Sequence, residues 1–211
     1  MKTLKHPLVR VNEQSFGGNQ AWFSTAFMKK VGCGVISAAN LLIHLQKKEQ
    51  MSEQEYIEFA KQIWLRYLPV IPGFGINGLT LMAGLNMYFG KHNLPYKAFW
   101  GISGRKMLSR IDQMLEQDLP VILSVGPNFP NVFGKKMLNF YSKRNDGRFQ
   151  QAAKTRAHYV TVTGRDGIYL QISSWGKAYY IDIREYREYV RSCSSPLVSN
   201  IICINQRKGI Q

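Results

Sequence analysis

Cys33 is the residue whose type and position most clearly permit covalent chemistry. It lies between Gly32 and Gly34, and the small and apolar stretch that follows predicts a buried helix over 33–46. A thiol at the N-terminus of a helix meets the positive end of the helix dipole and free backbone N–H groups. Both favour the thiolate, which is the nucleophilic form. The alternative is a structural cysteine that packs as a small hydrophobic residue.

His158 is the candidate partner of this thiol. The stretch 157–164 alternates in polarity, which predicts a strand with His158, Val160 and Val162 on one face. A histidine at the start of a strand can reach into a cleft and take a thiol proton as a general base. A histidine that is simply packed in the sheet is the alternative. His44, near the end of the first predicted helix, is expected to be exposed.

Three motifs in one order resemble the papain-like cysteine peptidase superfamily. They are Gly32-Cys33-Gly34 opening a helix, His158-Tyr159-Val160 in a strand, and Ser173-Ser174-Trp175-Gly176 after the next strand. The 125 positions from Cys33 to His158 are close to papain-like spacing. Over about 20–183 the chain is most similar to bacterial peptidases that cleave bacteriocin leaders after a double glycine, and to related bacterial proteins of unassigned substrate.

The resemblance implies a role for each matching residue. Cys33 would be the nucleophile and His158 the base, while the Gln20 side chain and the Cys33 N–H would form the oxyanion hole. Gln20 lies 13 positions before Cys33, which is further than usual, so 24–31 must fold out of the way as an insertion. Asn19 is a fallback donor. Ser173 stands where these enzymes carry the Asn or Asp that orients the histidine, and Trp175 would shield the histidine from water.

The function expected from these residues is a cysteine hydrolase, a peptidase or amidase, acting through the Cys33–His158 pair. Two alternatives remain open. An acyltransferase of the same fold would pass the acyl group to an amine, and a catalytically silent module would only bind a peptide or an anionic partner. The substitution of Ser173 for Asn or Asp favours the silent module. No cofactor and no metal are expected, because the chain lacks a CxxC, an HExxH or a close histidine pair.

The order of predicted elements gives an α+β fold class and one domain over 1–211. A helical half, about 20–118, packs on a mostly antiparallel sheet half, about 119–211, with the active-site cleft between them. The stretch 126–156 is expected to be a long irregular loop beside the cleft. Further helices are predicted over 52–67, 79–91, 103–117 and 183–191, and strands over 95–100, 120–125, 169–174, 178–183 and 197–204.

Charge and composition limit the partners. The chain has 28 Lys and Arg against 13 Asp and Glu, a formal net charge of +15, so an acidic peptide or amide substrate would fit. The basic residues are spread along the chain without a nucleic-acid-binding motif. No membrane span or secretory signal is seen, and three unpaired cysteines fit a reducing compartment, so a cytoplasmic protein is expected. The oligomeric state is left open.

A glycine-rich motif at 73–78 matches GxGxxG. A dinucleotide-binding fingerprint needs a strand immediately before it, whereas here a predicted helix and a proline turn precede it. The motif therefore predicts a tight turn, with Asn77 capping the helix that follows.

Overall fold

The computed structural model describes residues 1–71, 75–101, 106–131 and 133–206. Its helices are α1 (Ala26–Val31), α2 (Cys33–Leu45), α3 (Glu53–Tyr67), α4 (Gly78–Lys91), α5 (Met107–Glu116) and α6 (Ile183–Cys193). Its strands are β1 (Lys2–Thr3), β2 (Arg10–Val11), β3 (Ser15–Phe16), β4 (Gln50–Met51), β5 (Tyr96–Trp100), β6 (Val121–Val125), β7 (Leu138–Lys143), β8 (Phe149–Thr155), β9 (His158–Asp166), β10 (Tyr169–Ser174), β11 (Lys177–Asp182) and β12 (Ile201–Gln206).

A large antiparallel sheet organises the described chain. Its strand order is β5-β12-β6-β9-β10-β11-β7-β8, and β1 pairs with the far end of β9. A small second sheet joins β2 to β3 and β4. The central helix α2 packs on β9 and β6, so the elements that carry Cys33 and His158 are neighbours. The α+β fold class predicted from the sequence is confirmed.

The helix starts follow local sequence signals. Ser52 and Glu55 form a capping box at the start of α3, and the Asn77 side chain accepts a hydrogen bond from Thr80 N at the start of α4. Residues 73 and 74 of the glycine-rich motif lie outside the described residues, as do residues 103–105 of the helix predicted over 103–117. His44 is buried rather than exposed, and its Nε2 contacts Asp118 O at 2.9 Å. The expectation of exposure failed because α2 is buried on all sides from Gly34 to His44.

The prediction of a long irregular loop over 126–156 is wrong. Most of it forms the hairpin β7–β8, joined by a turn that contains Asp146 and Gly147. The alternation that marks a strand is absent from β8 because β8 is the edge strand and is mostly exposed on both faces. The remaining irregular parts, 126–131 and 133–137, follow β6, and Ala157 N donates to Gly126 O at 3.3 Å beside the start of β9.

Asn40, in the middle of α2, holds the elements around the site together. Its Oδ1 accepts from Tyr56 OH at 2.7 Å and from Gly18 N at 2.9 Å. Its Nδ2 donates to Thr161 Oγ1 at 3.2 Å and lies 3.5 Å from Ser173 Oγ. One buried amide therefore joins the segment before Gln20, α3, β9 and β10, and a fully satisfied buried network of this kind fixes a single arrangement.

Replacing Asn40 by alanine is expected to lower the free energy of unfolding by about 2–4 kcal/mol, because the buried Gly18 N–H loses its partner and the Tyr56 hydroxyl keeps only Ile36 O. Urea denaturation followed by circular dichroism measures the change. Asn205→Ala is the matched control, since Asn205 is exposed near the end of β12, and it should stay within about 0.5 kcal/mol of the wild type. Equal losses for the two variants would contradict the structural role of Asn40.

Candidate active site

Cys33 is the first residue of α2, and the residue is half-buried with its sulfur enclosed. Burial raises the pKa of the Cys33 thiol, and the backbone N–H groups of Tyr159, Gly34 and Cys33 itself oppose this effect only in part. The sulfur therefore lies beside the peptide group that links His158 to Tyr159. The two segments that the sequence singled out meet at this point.

Gly34 permits this close approach. A Cβ at Gly34 would lie 2.5 Å from Ile76 Cγ2 and 3.3 Å from Tyr159 Cδ2, so a larger residue would push α2 away from β9. The same packing places the Tyr159 ring beside the thiol. Burial raises the pKa of Tyr159 far above its ordinary value, and a Cys33 thiolate would raise it further. Tyr159 therefore stays a neutral phenol at the site.

His158 begins β9 and is only 7% exposed. Its Nε2 lies 2.8 Å from Ser174 Oγ, and the imidazole stacks on the indole of Trp175 with ring centroids 4.7 Å apart. Phe140 adds a third wall, with its ring centroid 6.4 Å from that of His158. Burial among these rings lowers the pKa of His158 to about 4, so the imidazole is neutral at pH 7.

The serine that contacts His158 is Ser174, and the expectation for Ser173 is corrected. Ser173 pairs with Thr161 on the face of the sheet that meets α2, and its hydroxyl donates to Phe16 O at 2.6 Å. Successive side chains of a strand point to opposite faces, so the next residue, Ser174, lies on the face of His158. The alternation of side chains along β10 therefore distinguishes the two serines, just as the alternation along β9 places His158.

The turn after Ser174 sets the position of Trp175. Ser174 and Lys177 are paired across β10 and β11, with Trp175 and Gly176 between them at φ values of 50° and 71°. Positive φ at both central residues is typical of a two-residue hairpin turn. A tryptophan rarely adopts this conformation. Here it brings the indole over His158 and shields the ring from water.

The Gln20 amide contacts α1. It starts a short 3-10 helix over Gln20–Trp22, and its Nε2 donates to Lys29 O at 2.7 Å and lies 3.4 Å from Lys30 O. The amide group therefore binds the last turn of α1, the helix formed by the insertion before Cys33. The fallback donor, Asn19, caps the 3-10 helix through a 3.0 Å bond from Ala21 N to its Oδ1. An oxyanion role for Gln20 stays a prediction.

The Cys33 sulfur lies at the backbone N–H that follows His158, and both the thiol and the imidazole rest as neutral groups. Within the described parts of the chain no hydrogen bond joins the Cys33 sulfur to the imidazole, and Nδ1 of His158 has no hydrogen-bond partner. A raised thiol pKa and a lowered imidazole pKa both disfavour a thiolate–imidazolium pair. The arrangement can act as a thiol with a neighbouring neutral base, in which proton transfer accompanies attack.

Two cavities lie away from the thiol. One of about 900 Å³ and one of about 560 Å³ flank Phe129 and Pro130, with α6 along both. Neither is lined by Cys33 or His158.

The described residues carry neither a metal-binding cluster nor a helix that could cross a membrane. In the part of the chain that the structure describes, no group of three or more His, Cys, Asp or Glu side chains could hold a metal ion. No helix in those ranges is both long enough and apolar enough to cross a membrane.

A solved structure shares this fold over nearly the whole chain. The crystal structure of a "putative C39-like peptidase from Bacillus anthracis" matches with a TM-score of 0.51 and 15% sequence identity, covering 99% of this chain and 100% of that one. At this identity the match shows the fold alone, which is the C39 or papain-like α+β fold. Neither a family model nor a curated protein matches the sequence.

Proposed function

We propose that the protein is a cysteine hydrolase that cleaves peptide or amide bonds through Cys33 and His158. The observation that carries the proposal is the meeting of the thiol at the start of α2 with the start of β9, where Ser174 holds His158 at 2.8 Å. The likeness to a structure named as a C39-like peptidase supports the same reading. The direct test is hydrolysis of a proteome-derived peptide library by the wild type and by Cys33→Ala.

The proposed reaction uses the tautomer with the proton on Nε2. Nε2–H then donates to Ser174 Oγ, and Nδ1 is left as the base. Nδ1 takes the Cys33 proton as the sulfur attacks the carbonyl carbon, and the imidazolium returns that proton to the leaving amine. Water then attacks the thioester with His158 again as the base, which releases the acid and restores the thiol.

The pH dependence of alkylation tests the thiol. Because the pKa of Cys33 is raised, the thiolate fraction grows only as the pH rises through that raised value. The second-order rate with iodoacetamide should therefore climb steadily above pH 8, with a midpoint higher than that of N-acetylcysteine. Peptide mapping by mass spectrometry separates Cys33 from the other cysteines. A flat, high reactivity between pH 5 and 8 would instead show a preformed ion pair and contradict the neutral resting state.

A silent binding module is the second candidate. It is favoured by the raised thiol pKa, by the engagement of the Gln20 amide with α1, and by a serine in place of a carboxylate beside His158. Absence of both hydrolysis and Cys33 labelling at pH 9 would support it. Formation of amides when an amine is added to the peptide library would instead favour the acyltransferase.

A further inference from the structure

The rim of the candidate active site carries four cations. Lys29 and Lys30 lie in the last turn of α1, three and four positions before Cys33. Arg156 lies two positions before His158. Lys177 is paired directly with Ser174 across β10 and β11, and such paired Cα atoms are about 5 Å apart. Each of the segments that form the site therefore brings at least one positive charge.

These four side chains are available to a ligand. All four residues are exposed, and none forms an ion pair with another described residue. Arg156 donates one hydrogen bond, to Gly134 O on the wall of the smaller cavity. Their charges are not balanced by contacts within the described protein.

Acidic residues are missing from the same segments. None of the 13 Asp and Glu residues lies within seven positions of Cys33, His158 or Ser174. No carboxylate is among the groups that shift the pKa of Cys33 or His158. The four cations are not among those groups either, so none of them directly contacts the thiol or the imidazole.

We propose that this rim selects an acidic peptide, with Asp or Glu side chains on either side of the bond to be cleaved. The inference rests on the proposed function, because it assigns the substrate class of that same site. Exposed charges attract over about 10 Å at 0.1 M salt, so the rim would speed the encounter and orient the peptide across the thiol. The attraction should fade at high salt.

The first test measures the potential at the thiol with two alkylating agents of nearly equal size. Iodoacetate is an anion and iodoacetamide is neutral, so the ratio of their rates at Cys33 reports the local charge. We expect this ratio to exceed that of N-acetylcysteine by about fivefold at low salt and to approach it in 1 M salt. Equal ratios for Cys33 and N-acetylcysteine would overturn the inference about the rim and leave the assignment of the thiol intact. If Cys33 reacts with neither agent, the proposed function itself is overturned.

The second test uses peptides and a matched pair of charge variants. Cys33→Ala protein is titrated with a ten-residue peptide carrying four glutamates around a central Ala-Ala, and with its glutamine counterpart. We expect the glutamate peptide to bind about fivefold or more tightly at low salt. Changing Lys29, Lys30, Arg156 and Lys177 together to Gln should remove the difference.

The control variant changes Lys47, Arg66, Lys91 and Lys97 to Gln. These residues are exposed and lie outside the rim segments, so the net charge falls equally while the rim is kept. The control should retain the preference for the glutamate peptide. If the control loses it as fully as the rim variant does, the preference comes from the overall charge and the rim is not the binding site.

Discussion

Cys33→Ala should abolish peptide hydrolysis and covalent capture of electrophiles at the site, with a loss of at least about 10³-fold in kcat/KM. The reason is that alanine has no thiol and cannot form the thioester. Release of new amino termini from the peptide library measures hydrolysis. Mass spectrometry of the labelled protein measures capture.

Cys193→Ala is the matched control for this experiment. Cys193 is also half-exposed, but it lies at the end of α6 beside Ser192, on the wall of the smaller cavity. Its removal should leave hydrolysis within about twofold of the wild type. Cys203 is buried, and burial raises its thiol pKa to about 11, so it should stay unlabelled at neutral pH. Persistent hydrolysis in Cys33→Ala, or its loss in Cys193→Ala, would show that the nucleophile is assigned wrongly.

The local part of the site was predictable from the sequence. The run after Gly32 has the composition of a buried helix, and the structure begins α2 at Cys33. The alternating stretch after Ala157 is β9, with His158 as its first residue. Both are properties of a single segment, so periodicity is sufficient to find them. The packing of α2 on β9 was inferred from the family resemblance, since no local pattern encodes it.

The contacts between segments that are distant in sequence could not be predicted from local patterns. Ser173 was chosen by its place in a motif, whereas the face of β10 that meets His158 belongs to Ser174. Gln20 was matched by residue type, but α1 provides carbonyl groups that bind its amide. In the sequence, Asn40 is a single polar residue within an apolar helix. In the structure, its four hydrogen-bonding partners come from distant parts of the chain. Such partners depend on tertiary structure rather than on any local pattern.

Ser174 is expected to be a positioning residue, and its removal gives the second large effect. Ser174→Ala should lower kcat by about 10- to 100-fold with little change in KM, because the imidazole loses the bond that fixes its tautomer and orientation. Ser173→Ala is the matched control on the neighbouring position. It breaks bonds to Phe16 O and Asn40, so it should lower the melting temperature while leaving kcat within about threefold.

Ser174→Asp separates this positioning role from simple packing. A carboxylate at Nε2 would stabilise the imidazolium, so the pKa of His158 should rise from about 4 towards neutrality. The sign of the change is therefore fixed: the imidazolium would persist to higher pH, and a thiolate–imidazolium pair would become accessible below pH 8. Alkylation of Cys33 at pH 6 should then increase, and NMR titration of the His158 ring should show the raised pKa. If Ser174→Asp leaves both unchanged while the protein stays folded, Ser174 does not act through His158, and the resting site is neutral for a reason other than the missing carboxylate.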